Sequence, residues 1–145
     1  MHNTLSHINH QVSPQDELLV TAIEQHRLQL AEFNHQAHLS MAYVYLVRGG
    51  LDQAFTQMSD TLKRYLKAKG VDAGKFHLTL TWAWLKAVWH FMRQSAPMTS
   101  AKAFLDANPV LLNKDILLSH YSHERLFSDQ ARRRLVYPDL NPFPE

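Results

Sequence analysis

Apolar residues in this chain recur three and four positions apart, and no stretch alternates them at period two. That spacing gathers side chains on one face of a helix, which restricts the chain to helices packed against helices. Glycine and proline punctuate the pattern. The 4 Gly fall at Gly49-Gly50, Gly70 and Gly74, and three of the 6 Pro stand in the closing Tyr137-Pro138-Asp139-Leu140-Asn141-Pro142-Phe143-Pro144-Glu145. The expected fold is therefore all-α: one domain over 1–145, a bundle of four main helices, then short C-terminal helices and an extended Pro-rich tail over 136–145.

The boundaries follow from cap chemistry. Ser13-Pro14 followed by Gln15-Asp16-Glu17 opens a first helix, with Leu18, Leu19, Ala22, Ile23, Leu30 and Phe33 on one side and His26 within that stripe. Asn34 caps a second helix that runs to about Arg48 and ends at Gly49-Gly50. A third, amphipathic helix spans Leu51 to Lys69, and a fourth runs from about Phe76 to Gln94 with Trp82, Trp84 and Trp89. Shorter helices are expected over Thr99–Ala107, Lys114–His120 and Ser122 to about Leu135, and a flexible segment over 1–12.

At 145 residues the chain is long enough to bury roughly two thirds of its unfolded surface without disulfides. Zero cysteines exclude thiolate ligands and cysteine nucleophiles, so any metal would be held by nitrogen and oxygen. The net charge of +2 describes no concentrated basic face, and Arg132-Arg133-Arg134 point in different directions on a helix, so no nucleic-acid partner is expected. Neither a signal peptide nor a membrane span is legible, which gives a cytoplasmic expectation. Gly-rich phosphate loops, His-Glu-x-x-His helices and nucleophile elbows are absent from the sequence.

Histidine, present 10 times, carries the chemical argument. His35 and His38 are separated by about 60° around a helix, with Cβ atoms about 5–6 Å apart, so both can face one ion. His77 joins them if the fourth helix packs beside the second. A fourth ligand at Glu24 requires the first helix to end or bend between about Arg27 and Phe33. Tyr45 and Trp84 are candidate pocket walls.

The segments Ala22-Ile23-Glu24, Phe33-Asn34-His35-Gln36-Ala37-His38-Leu39, Phe76-His77-Leu78-Thr79-Leu80-Thr81-Trp82-Ala83-Trp84-Leu85 and Tyr121-Ser122-His123-Glu124-Arg125-Leu126-Phe127-Ser128, with Tyr137-Pro138-Asp139-Leu140, resemble a family of small uncharacterised bacterial helical proteins. The resemblance covers most of the chain and implies attention to Glu24, His35, His38, His77 and Thr81. It implies no activity, and Leu78 departs from it where a polar residue is expected.

The preferred expectation is a mononuclear zinc, iron, copper or nickel site on His35, His38 and His77, with Glu24 completing the shell or orienting a water, and a small polar molecule as substrate. A non-enzymatic interaction or ligand-binding module is the first alternative, and a metal-free acid–base pocket the second. Against all three stands the plain reading of histidines at helix starts: they cap helices and hydrogen-bond to loops.

Overall fold

The computed structural model describes residues 9–144, which contain helices and turns and no strand. Helix α1 (Pro14–Glu24) opens with a capping box. The Ser13 hydroxyl accepts from Asp16 N–H at 3.1 Å, and the Asp16 carboxylate accepts from Ser13 N–H at 3.0 Å. The helix ends at Glu24, before the expected bend, because His26 takes a left-handed conformation with φ 61°. His26 N–H then donates to Ile23 O and Arg27 N–H to Ala22 O, a Schellman-type closure. The buried face of α1 is Asp16, Val20 and Ile23, whereas Leu18, placed on the apolar stripe by the sequence, is 69% exposed.

Helix α2 (His35–Ala68) has two arms hinged at Gly50, whose φ of 79° only glycine adopts without strain. Asn34 caps the first arm by accepting from Ala37 N–H at 2.9 Å. Met41 through Leu46 are all buried in that arm, so it is surrounded by other elements. The second arm buries only Ala54, Met58, Leu62 and Tyr65, one stripe of an amphipathic helix. Helix α3 (Leu78–Gln94) packs against α2 and buries Thr79, Thr81, Ala83, Leu85, Val88 and Met92.

Beyond α3 each short helix has a serine cap. Ser100 starts α4 (Ala101–Ala107), Ser122 starts α5 (His123–Leu126) and Ser128 starts α6 (Asp129–Arg133). The helix expected from Ser122 to about Leu135 is therefore two pieces, the second restarted where Ser128 accepts from Ala131 N–H, a cap worth about 1 kcal/mol. Short 3-10 segments fill Pro109–Leu112 and Lys114–Ser119. These pieces enclose a second small core of Ala83, Leu117, Tyr121, Leu126, Ala131 and Val136 against α3.

The N-terminal stretch expected to be flexible to Val12 lies outside the described residues for positions 1–8. From His10 it is packed: His10 is 1% exposed between Tyr43 and Phe104. No helix among the described residues is long and apolar enough to cross a membrane.

Candidate functional site

The fold-back at Gly50 lays the second arm of α2 across the start of the first, and a cavity of about 690 Å³ lies where they meet the start of α3. The first arm supplies His35, His38 and Leu39, and the second supplies Met58, Leu62, Tyr65 and Leu66. Leu80, Thr81 and Trp84 come from α3, preceded by Lys75, Phe76 and His77. Lys114, Asp115 and Leu118 of the second 3-10 segment, His123 and Leu126 of α5 and the following Phe127 close the remaining side. Leu30 and Phe127, 50% and 43% exposed, bring apolar surface to the rim.

His35 and His38 reach this space for different local reasons. His35 is the first residue of α2, its Nε2 hydrogen-bonds Leu111 O at 2.9 Å, and its ring meets the Trp84 indole edge-on at 4.5 Å. With Nε2–H as donor, Nδ1 is left as an acceptor. His38 stands four residues after the Asn34 cap, and Phe33 stands one before it. These are the two positions of a hydrophobic staple, and the rings stack at 4.0 Å and 10°. No hydrogen-bond partner for the His38 ring exists among the described residues. Burial, then His35 and then Lys114, lower its pKa from 6.5 to about 4. The pKa of His35 is also lowered, by burial first, against the opposing effect of the Leu111 carbonyl. Both imidazoles are neutral at physiological pH.

His77 lines the same cavity but is engaged on both nitrogens. As the N-cap of α3 its Nδ1 accepts from Leu80 N–H at 3.0 Å, and its Nε2–H donates to Leu126 O at 2.7 Å. Thr81 donates to His77 O at 2.8 Å, while Thr79 donates to Arg134 O and accepts from Val136 N–H. The His77-x-Thr79-x-Thr81 pattern thus works as a brace that fastens α5 and the segment after α6 onto α3.

Glu24 lies outside the cavity and accepts from the Tyr45 hydroxyl at 2.7 Å, with Thr61 Oγ1 also 2.9 Å from that hydroxyl. Burial raises the Tyr45 pKa, so the phenol keeps its proton as the donor in this link between α1 and α2. The set Glu24, His35, His38 and His77 is not brought to one point: Glu24 lies outside the cavity, and both His77 nitrogens are hydrogen-bonded within the fold. No group of three His, Asp or Glu among the described residues is arranged to hold a metal.

Sequence reasoning passed over Lys75, Lys114 and Asp115 as site residues. Lys114 follows Asn113, which caps the 3-10 turn by accepting from Asp115 N–H. That signal marks a turn and carries no hint of which cavity the turn borders. Searches with the chain against protein-family models, curated proteins and solved structures find no match in any of the three, so the motif resemblance to a bacterial helical family stays a sequence expectation.

Proposed function

We propose that this protein binds a small, largely apolar molecule in the cavity between the two arms of α2 and the start of α3, with neutral His35 and His38 receiving its polar end. The observation that carries the reading is the pairing of an apolar space of about 690 Å³ with a half-buried imidazole, His38, that has no hydrogen-bond partner among the described residues. A volume of that order suits a drug-sized ligand, and sites of this kind combine apolar walls with a few polar groups that fix orientation. No protein group among the described residues competes for the His38 ring, so a ligand that hydrogen-bonds to it has only water to displace.

A binding role is favoured over water activation by a metal because the donors needed to complete a metal shell, His77 and Glu24, hold the fold together instead. Acid–base catalysis is supported less well. An imidazole held at about 4 is a weak base near neutrality, which suits a hydrogen-bonding role better than proton abstraction.

The test is titration of untagged protein with the neutral fluorescent probe N-phenyl-naphthylamine. Saturable one-site enhancement is expected, lost in a Leu118→Trp variant that fills the cavity and still unfolds cooperatively. Probe binding unchanged by that substitution would contradict the reading. Stoichiometric zinc, iron, copper or nickel in the same sample, removed by His38→Ala, would replace it with a metal site.

A further inference from the structure

We infer that the polar end of the ligand is an anion, a carboxylate or a group of similar size and charge, held between the Lys114 ammonium and the His35–His38 pair. This rests on the cavity being a ligand site and adds the charge class of what enters it.

The cavity lining has two lysines, Lys75 and Lys114, and one acid, Asp115. Ion pairs among the described residues join Arg48 to Glu17, Arg64 to Asp60 and Lys102 to Asp106, so neither cavity lysine is neutralised by a carboxylate. Asp115 is exposed and adjacent to Lys114 in the chain, yet makes no ion pair with it. The rim is therefore cationic over an apolar interior.

Lys114 shares the cavity lining with His35 and His38, and its charge lowers the pKa of both rings. An anion placed there accepts from the ammonium and from the His38 N–H, satisfying a donor that the protein leaves open. A cation would meet Lys75 and Lys114 with no carboxylate among the described residues paired to either. A neutral hydroxyl would serve the imidazole but leave both lysines without a counter-charge. Since the lysines are exposed and hydrated, the preference for an anion should be about tenfold in affinity, the scale of one partly desolvated charged hydrogen bond.

A second cationic hollow, beside Lys63, Arg132 and Arg133, is smaller at about 350 Å³, and its Arg132 donates to Gly74 O. It provides a control surface for the same chemistry.

Three ligands with the same ring and different charge separate the possibilities: naphthoate, naphthalenemethanol and naphthylmethylammonium, titrated calorimetrically near neutral pH. Wild type should bind naphthoate about tenfold more tightly than the alcohol, with the ammonium weakest. Lys114→Met should bring naphthoate to the level of the alcohol, whereas Arg133→Gln should leave naphthoate binding as in wild type. If the alcohol binds as tightly as naphthoate, or Lys114→Met leaves naphthoate binding intact, the anion inference is overturned while the cavity reading survives. If none of the three binds at millimolar concentration, the cavity reading fails and the inference with it.

Discussion

The two ends of α3 show two uses of a histidine packed among aromatic rings. At the C-terminal end His10 lies between Tyr43 and Phe104, with Nε2–H donating to Met92 O at 2.7 Å and Nδ1 accepting from Met98 N–H at 3.1 Å. Its surroundings are equally complete: the Asp16 carboxylate accepts from Ser13 and Ala101 N–H, and the Tyr43 hydroxyl donates to Gln11 O. At the N-terminal end His38 stacks on Phe33 beside a cavity of about 690 Å³, with no hydrogen bond from its ring among the described residues. The imidazole matched by protein groups is a structural part; the one left to solvent beside a cavity is open to a ligand.

The sharpest break of this contrast is at the closed end. His10→Leu removes both hydrogen bonds and leaves Met98 N–H and Met92 O unmatched, so urea unfolding should show a loss of about 2–4 kcal/mol. His77→Ala should cost about 2–3 kcal/mol, since it removes the α3 cap and the tie to Leu126 O. His77→Asn should recover about 1 kcal/mol of that by restoring the cap. Gly50→Ala places an L-residue at φ 79° and should cost about 1–2 kcal/mol, with weaker probe binding because the second arm of α2 forms one cavity wall.

His38→Leu should have the smallest effect on stability at neutral pH, within about 0.5 kcal/mol, while removing the polar contact for a ligand. Its signature is in the pH profile. The folded pKa of His38, about 4, lies below the unfolded 6.5, so between these values the unfolded chain takes up the proton and stability falls as pH drops. The loss, on the order of 3 kcal/mol, should be complete below about 4 and largely absent in His38→Leu. His35 and His77, also shifted downward, contribute in the same direction in both proteins.

Much of the helical framework was legible because its signals are local. Ser13-Pro14, Asn34, Gly50, Gly70 and Ser122 act within one turn of where they stand, and the helices begin or end beside them. Leu18 misled because the face α1 buries is set by its partners: Asp16 reaches Ala101 N–H, and Val20 and Ile23 turn inward with it. At the site, sequence placed attention on His35, His38, His77, Thr81 and Trp84, which line the cavity, and on Glu24 and Tyr45, which pair with each other outside it. It did not separate their roles, because those depend on carbonyls at Leu111 and Leu126, 76 and 49 residues away in the chain. A backbone oxygen has no identity in a sequence. Lys114 escaped for the same reason: nothing near it in the chain says that its turn borders the start of α2.

The most direct measurement follows the histidine ring resonances by NMR during titration with naphthalenemethanol, a neutral ligand whose binding does not depend on the charge inference. The account predicts saturable shifts at His38 and His35 with a common affinity, while His10, with both nitrogens matched at the far end of α3, stays in place. Shifts absent from His38, or as large at His10 as at His38, would contradict it.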